Sequence, residues 1–295
     1  MQVDKDHKMT RSPIKWAGGK SRFRKRIISL LPDHSCYCEP FGGAGWVLFA
    51  KPRSDVEILN DINGELVNFF RVIKHRPEEF IDSFDLELVS REKFEQLSEA
   101  SISGMSELRR AHRFFYLIMA GWGGEWKYHR LQTSVKDGGH GNRLIGAMKY
   151  LKRRIEPIHE RLMTVIVENL DWEDFLDRYD RDGVIMYLDP PYPENGVNYA
   201  DNMRDWEDHE HLAEVLKGSD CKWMLSSYNN QRMYDLYDGY NIVPVESYSG
   251  MSTGKDSTGN EGRVKNEEVL VLNYNPPVDE EEGDFNNTEQ MNLNL

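Results

Sequence analysis

Short runs of consecutive apolar residues recur along the chain, separated by stretches with the spacing of amphipathic helices. Continuous apolar runs are typical of strands covered on both faces, as in parallel sheets. The pattern predicts strands at Cys36–Phe41, Val56–Asn60, Val165–Glu168, Val184–Leu188, Lys222–Ser226, Asn241–Val245 and Glu268–Tyr274. We therefore expect a sheet that is buried between layers of helices.

The clearest of the intervening helices begins after Asp205. This residue is suited to the N-cap position, an acidic residue follows three positions later at Asp208, and Gly218 provides an end. Strands that alternate with helices of this length predict an α/β fold with a doubly wound, mostly parallel sheet.

The segment 79–162 breaks this alternation. One helical pattern covers 106–120 and a second covers 144–162, where Pro157 should bend the helix. Two glycine-rich stretches lie between them. We interpret 79–162 as a helical insertion in an α/β domain.

The remaining residues then form one catalytic domain from 1–78 and 163–274. The last segment, 275–295, opens with two prolines and carries six acidic residues and no basic ones. Such a composition buries too little apolar surface to fold, which predicts an acidic disordered tail.

Charge is distributed unevenly along the chain, whose formal net charge is −13. Residues 1–30 carry +7, 31–104 carry −7, 105–165 carry +7 and 166–295 carry −20. Two basic segments in an acidic protein can focus a positive field on one face, which favours a nucleic-acid partner. On charge alone, basic helices with a solvated face explain the pattern equally well.

Composition excludes several other classes of protein. Hydrophobic residues make up 39% and aromatic residues 11%, unlike a chain that cannot fold. No run approaches the ~18 apolar residues of a membrane-spanning helix, and the charged N-terminus does not resemble a secretory signal. We expect a cytoplasmic protein. Cys36 and Cys38 are best explained as a buried apolar pair, so neither a disulfide framework nor a metal site is expected.

A glycine-rich turn, 39–45, lies at the end of the first predicted strand. Glycines at such a turn let the backbone approach a ligand. The dinucleotide pattern G-x-G-x-x-G read from Gly43 fails, because its third glycine is replaced by Leu48. Asp61 ends the next strand, where a carboxylate can accept hydrogen bonds from ribose hydroxyls. A nucleoside without phosphates is the ligand that fits best.

A second glycine motif covers 14–21 and ends like a P-loop. The P-loop pattern requires glycine where this chain has Ile14, so a phosphate cradle is not expected. Trp16 and Lys20 could instead lie against a ligand. A helix-start loop with a packed tryptophan is an equally good explanation.

The most specific motif is Asp189-Pro190-Pro191-Tyr192, which follows an apolar strand. Open α/β sheets bind ligands at this end of their strands. Neither proline donates a backbone N–H, and Pro191 forces Pro190 into an extended conformation. What remains is a rigid row of acceptors, the Asp189 carboxylate and the Pro190 carbonyl, beside the Tyr192 ring. This row suits an amino group held in plane against an aromatic face.

A fourth element, 164–172, predicts a strand whose end presents Asp171 and Trp172. An acid and an aromatic ring could hold an adenine by hydrogen bonding and stacking. A surface aspartate and a core tryptophan explain the same residues.

Taken together, these motifs resemble the Dam-type (D12 class) family of DNA adenine-N6 methyltransferases, in the same order over about 260 residues. The shared features are KWAGGK at 15–20, EPFGGAG at 39–45, LND at 59–61, an inserted basic region, DPPY at 189–192, HLAEVL at 211–216 and EEVLVLNY at 267–274.

The resemblance implies a methyltransferase fold, S-adenosylmethionine (SAM) as the methyl donor, and double-stranded DNA as the substrate. It also implies that Asp61 binds the ribose, that Ile62 and Trp172 flank the adenine, and that Asp171 bonds the edge of that ring. Residues around the methionine part would be Trp16, Gly18, Lys20, Glu39, Phe41, Gly43 and Gly45. Asp189 would lie between donor and target base, which must be flipped out of the duplex.

DNA recognition would fall to the insertion and to Lys15, which lies near DNA in this family. Lys127, Arg130, Asn142 and Arg143 flank the glycine-rich stretches and carry side chains that could reach base edges or phosphates. Simple phosphate contacts or solvated charges explain the basic residues equally well. The segment 121–130 has its own pattern, so no recognition sequence can be transferred.

Two other functions remain open at this point. The same fold could methylate N4 of cytosine or a base in RNA, although family members that act on cytosine usually carry serine at the position of Asp189. A DNA-binding protein without turnover is the second alternative, and the intact motif at 189–192 argues against it.

Overall fold

The computed structural model describes residues 9–122, 130–132, 142–193, 203, 205–255 and 261–277; in 247–255 and 261–266 only the backbone is described. Within these residues there are seven strands, as predicted. They are β1 Cys36–Glu39, β2 Val56–Asn60, β3 Val165–Glu168, β4 Val184–Leu188, β5 Lys222–Tyr228, β6 Asn241–Lys255 and β7 Glu261–Leu272.

The helices of the same residues lie in the predicted intervals. They are α1 Arg24–Ser29, α2 Gly64–His75, α3 Pro77–Asp82, α4 Arg91–Glu99, α5 Glu107–Ala120, α6 Arg143–Lys149, α7 Leu151–Leu162, α8 Trp172–Tyr179, α9 Trp206–Lys217 and α10 Gln231–Leu236.

All seven strands form one sheet in the order β3-β2-β1-β4-β5-β7-β6. The four neighbouring pairs from β3 through β5 are parallel. β7 alone runs in the opposite direction, so it is antiparallel to both β5 and β6. The predicted α/β fold with a mostly parallel sheet is therefore confirmed. The chain order reverses between β1 and β4, and ligands of open α/β sheets bind outside the carboxyl ends of the strands at such a switch point.

Alternate residues of each strand supply two hydrophobic clusters, one on each face of the sheet. Tyr37, Leu59 and Tyr187 belong to the first cluster, which also contains the aromatic residues of α2 and α5. Cys38 and Met186 belong to the second, which packs against α8 and α9. Both faces are covered, and this explains why the strands are nearly continuous apolar runs.

The carboxyl ends of β1, β5 and β7 differ from the predicted ones by two residues each, and two further differences are larger. β6 extends well beyond Val245, and β7 begins well before Glu268. The two strands form a long hairpin whose distal part lacks the apolar runs used to find strands. The helix predicted over 144–162 is two helices, broken at Tyr150, whose φ of −124° and ψ of 25° are not helical. Pro157 lies inside α7 without ending it.

The helix caps agree with the sequence pattern. Asp205 and Asp208 form a capping box at the start of α9, and Gly218 is its C-cap residue. Ser106 caps α5, which packs against α2 and shares the first hydrophobic cluster. The division of the chain into a catalytic domain and an insertion at 79–162 stays a prediction. The first hydrophobic cluster contains residues from both parts. None of the helices in the described residues is long and apolar enough to cross a membrane.

Candidate active site

A cavity of about 510 Å³ opens at the carboxyl ends of β1, β2 and β4. Its wall brings together most of the residues that the sequence singled out, although they are far apart in the chain. These are Trp16, Gly18, Lys20, Glu39, Phe41, Gly43, Asp61, Ile62, Asp189, Pro190, Pro191 and Tyr192.

The glycine-rich turn after β1 forms the floor of the cavity. The Gly42 N–H donates to the carbonyl of Asn60 at 2.7 Å, which holds the turn against the end of β2. A Cβ atom at Gly42 would lie 2.3 Å from Cδ1 of Leu59, and one at Gly43 would lie 3.2 Å from the Trp16 ring. Gly43 also has a φ of +48°, which favours glycine. The turn can approach β2 and the Trp16 ring this closely because neither glycine carries a side chain.

Asp61 ties the end of β2 to this turn. Its carboxylate accepts the Gly43 N–H and the Asn63 N–H, each at 2.8 Å. Burial raises the pKa of Asp61, while these two hydrogen bonds act in the opposite direction. The carboxylate is thereby fixed in orientation at the edge of the cavity.

Glu39, the last residue of β1, is a second buried carboxyl group, with 2% of its surface exposed. Its Oε1 accepts the Tyr37 hydroxyl at 2.8 Å and the Leu48 N–H at 2.7 Å. Burial raises the pKa of Glu39 to about 8, more than these hydrogen bonds lower it. In the free protein at neutral pH this group is largely protonated.

Lys20 joins the first motif to the last one. Its Nζ lies 2.7 Å from Oδ1 of Asp189 and 3.6 Å from Oε2 of Glu268, and it also donates to the Gly18 carbonyl at 3.1 Å. Burial lowers the pKa of Lys20, but the two carboxylates together outweigh burial and raise it. Oδ1 of Asp189 accepts a further hydrogen bond from the Ser226 hydroxyl at 2.8 Å.

The turn Asp189–Tyr192 is held from several sides. The Tyr192 hydroxyl donates to Oε2 of Glu268 at 2.9 Å, and the Lys20 Nζ lies 4.7 Å from the centre of the Tyr192 ring. Tyr228 contacts the same ring edge to face, with the ring centres 4.7 Å apart. The ring is therefore confined along one edge of the cavity.

Three residues predicted to bind the cofactor lie outside the cavity wall as the described residues form it: Gly45, Asp171 and Trp172. Gly45 has a φ of +65°, and a Cβ atom there would meet the Phe49 ring at 2.6 Å. Asp171 caps α8 by accepting the Glu173 N–H, and Trp172 is buried in the second hydrophobic cluster. Their role toward a cofactor stays a prediction.

The predicted DNA-contacting residues fall into different environments. Lys127 lies outside the described residues, and Arg130 is exposed. The Asn142 side chain donates to the carbonyls of Ala120 and Gln132, and its oxygen caps α6. Arg143 donates to the carbonyl of Gly121.

Lys15 is half-buried beside further positive charge. Burial lowers the pKa of Lys15, and the charges of Arg143 and Arg22 lower it further. Positive side chains therefore cluster next to Trp16, at the edge of the cavity.

Sequence reasoning missed the residues that support the motifs. Glu268 lies in one of the motifs shared with the family, but the sequence assigned it no role. Ser226 and His209 were not singled out at all. Ser226 lies inside an apolar strand, and His209 lies in a helix among several acidic residues. Neither position carries a local signal that distinguishes it from an ordinary structural residue.

Known proteins were compared with the whole chain. The family model of the D12 class N6 adenine-specific DNA methyltransferases matches residues 16–251. A type II methyltransferase from Lactococcus lactis subsp. cremoris, M1.LlaDCHI, is 28% identical over 283 residues, which cover 88% of this chain and 94% of that protein.

Two DNA adenine methylases are similarly related. The protein from Escherichia coli K12 is 27% identical over 284 residues, covering 92% of this chain and 98% of its own length. The protein from Serratia marcescens is 28% identical over 286 residues, which cover 90% of this chain and 99% of that protein. The family model spans the Trp16 loop, the glycine-rich turn and the Asp189 turn, and the chain belongs to the D12 class of N6 adenine-specific DNA methyltransferases.

Proposed function

We propose that this enzyme transfers a methyl group from SAM to N6 of an adenine flipped out of double-stranded DNA, within the cavity described above. The observation that carries the proposal is that one cavity has a backbone-lined floor at the glycine turn and a row of acceptors at Asp189 and Pro190. A methyl donor of the SAM type follows from the family. The assignment of residues to it is ours.

The shape and charge of the cavity fit this donor. The glycine turn leaves room for a ligand against bare backbone, and Asp61 presents acceptors for ribose hydroxyls. At the Asp189 turn two carboxylates, Asp189 and Glu268, face the single ammonium of Lys20, so this part of the wall favours a cation. When bound, SAM supplies an electrophilic methyl group on a positively charged sulfur.

We assign the methionine part of the donor to the wall formed by Trp16, Gly18, Lys20, Glu39, Phe41 and Gly43. Ile62 is 44% exposed at the cavity edge and would lie against the adenine ring. Gly45, Asp171 and Trp172 would act from behind this wall.

Asp189 is arranged to receive an amino group. Lys20 and Ser226 both bind its Oδ1, so the carboxylate cannot rotate freely, and Oδ2 is the oxygen that would accept one N6 hydrogen. The Pro190 carbonyl would accept the other. Because the N6 lone pair of adenine is delocalised into the ring, holding both hydrogens favours a pyramidal nitrogen whose lone pair points at the methyl group.

The remaining contributions are orientation and charge. Holding the reacting atoms in a near-attack geometry can supply ~7 kcal/mol or more. As nitrogen becomes cationic, the negative charge of Asp189 stabilises it. Flipping the base costs a few kcal/mol, of which stacking on Tyr192 would recover a part.

The basic residues beside the cavity are suited to the DNA backbone. Lys15, Arg22 and Arg143 concentrate positive charge next to the Trp16 loop. Phosphates would neutralise this cluster and fix the position of the duplex over the cavity. The side chains of Asn142 and Arg143 donate to the backbone carbonyls of Ala120, Gly121 and Gln132, so they would also hold these residues in place beside the DNA.

The experiment is to incubate DNA with SAM labelled in its methyl group and to hydrolyse the product to nucleosides. We expect label in N6-methyladenine for the wild type, and none for Asp189→Ala or Asp189→Asn, while both variants still bind the donor, more weakly because the cavity wall loses a negative charge. Asp177→Asn, on the exposed side of α8, is the matched control and should methylate normally. Label in N4-methylcytosine alone would overturn the proposal, and an Asp189→Ala enzyme with wild-type rate would refute the role given to this carboxylate.

A further inference from the structure

The turn Asp189–Tyr192 cannot hold itself in place through its own prolines. Pro190 and Pro191 have no backbone N–H, so neither can donate a hydrogen bond that closes the turn. Side chains of other elements can supply donors to the carbonyls of this segment. The position of the acceptor row depends on whichever side chains supply them.

One such donor is His209. Its Nε2 lies 2.9 Å from the carbonyl oxygen of Pro191, and only 1% of the residue is exposed. His209 belongs to the beginning of α9, which the capping box of Asp205 and Asp208 fixes at its first turn. The ring therefore reaches the turn from a rigid base.

The contact determines the tautomer of the ring. A carbonyl oxygen can only accept, so Nε2 must carry the proton. Nδ1 is buried and has no hydrogen-bond partner among the residues described. Protonating Nδ1 would leave a buried donor unpaired, and burial accordingly lowers the pKa of His209. The ring is thus a neutral donor dedicated to one carbonyl.

That carbonyl belongs to the peptide between Pro191 and Tyr192. Fixing its direction fixes the plane from which the Tyr192 side chain departs. At the other end of the side chain, the phenol hydroxyl donates to Glu268 at 2.9 Å. The aromatic ring is therefore held at both ends. The ring of Pro191 fixes the φ of that residue, so one of the two dihedral angles between the Pro190 and Pro191 carbonyls is restricted as well.

We propose that His209 is a positioning residue for methyl transfer, which fixes the Pro191–Tyr192 peptide so that the Pro190 carbonyl and the Tyr192 ring meet the flipped base together. The inference rests on the proposed function, since it assumes that the base binds at this turn. His209 does not line the cavity, so it would act through the turn and not by contact with the donor or the base. Its effect should therefore fall on the rate of the chemical step rather than on donor affinity.

The test compares two replacements of similar length. His209→Gln keeps an N–H donor that can reach the Pro191 carbonyl, whereas His209→Met fills the space without a donor. His159→Met is the matched control, because the His159 ring also contacts a backbone carbonyl, that of Ile73 at 3.1 Å, far along the chain from the turn. Single-turnover methylation is measured at saturating donor and DNA, together with donor affinity and thermal stability.

A displacement of about 1 Å in a reacting group can cost ~100-fold in rate, so we expect His209→Met to lower the single-turnover rate by about 10- to 100-fold. Its donor affinity should stay near the wild-type value, because the lost contact acts on the transition state. His209→Gln should recover most of the rate. His159→Met should lose stability without losing rate.

A folded His209→Met enzyme with the wild-type rate would overturn the inference, and so would a folded Gln variant as slow as the Met variant. Should the Met variant fail to fold, ¹⁵N NMR of the wild-type protein with labelled histidine decides, because the inference requires the proton on Nε2, and a proton on Nδ1 instead would refute it. If the wild-type enzyme places no methyl group on adenine, it is the proposed function that fails. If the wild-type enzyme is active on adenine, the His209 variants test the positioning role alone.

Discussion

Glu39 offers the sharpest test of the electrostatics of this cavity. The residue is almost fully buried, and both hydrogen bonds to it, from Tyr37 and Leu48, converge on Oε1. Burial raises its pKa from 4.5 to about 8. An ionised carboxylate at this position is costly for the free protein, and Glu39→Gln replaces it with a neutral group of the same size.

The sign and magnitude follow from proton linkage. Between pH 4.5 and about 8 the folded state keeps the proton of Glu39, while the unfolded chain loses it. The free energy of unfolding therefore falls as pH rises through this window, by at most ~1.4 kcal/mol for each pH unit. The stabilisation is fully present below pH 4.5 and fully lost above about pH 8. Glutamine cannot ionise, so at pH 9 we expect Glu39→Gln to be more stable than wild type by about 2–5 kcal/mol.

Urea denaturation of both proteins at pH 5, 7 and 9 measures this difference. At pH 5 the two should have nearly equal stability, and the gap should open as pH rises. Glu99→Gln, at the exposed end of α4, controls for the general effect of removing an acidic residue. A gap between wild type and Glu39→Gln that is the same at all three pH values would refute the reasoning. Weaker donor binding by the stabilised variant would indicate that the carboxylate is retained for the ligand at the expense of stability.

Three further outcomes are expected. Glu57→Gln should destabilise the protein by about 3–5 kcal/mol in urea denaturation, because Lys51 and Arg161 are paired with this carboxylate in the interior; an unchanged midpoint would contradict this. Gly42→Ala should cost about 1–3 kcal/mol, seen as a lower thermal midpoint, since its Cβ would lie 2.8 Å from a backbone oxygen of β2; equal midpoints would show that the turn can shift. DNA affinity measured by fluorescence anisotropy should fall steeply between about 50 and 200 mM salt; a flat response would place the cluster around Lys15 away from the phosphates.

Many residues of the cavity wall could be predicted because they end or follow a strand in the sequence, whereas the loop with Trp16 and Lys20 precedes β1 and entered the prediction through the family resemblance. Glu39, Asp61 and Asp189 end or follow β1, β2 and β4, and the carboxyl ends of parallel strands meet at one edge of a sheet. Knowing that these strands are parallel was enough to bring the residues together. The prediction did not require knowing that β1 and β4 are neighbours in the sheet.

The supporting residues could not be predicted in this way. Glu268 reaches the Asp189 turn through the antiparallel register of β7 with β5, in which it pairs with Tyr228. His209 reaches the same turn from α9, and its position depends on how that helix packs against the sheet. Such pairings join residues 18 to 76 positions apart, and they depend on packing rather than on local pattern. For Asn142, the sequence could not distinguish an amide that faces DNA from one that binds the backbone.

Charge changes sign over a short distance at the edge of the cavity, and this change can sort the two substrates. Lys15 lies in a cluster with other positive side chains, while a few residues later Lys20 is outnumbered by the carboxylates of Asp189 and Glu268. Phosphates are attracted to the first region and repelled by the second, so the backbone of a duplex would stay outside while an uncharged base enters. A cationic donor is attracted to the inner region for the same reason. The acidic net charge of the chain is thus compatible with a polyanionic partner, because the field that DNA would meet is local.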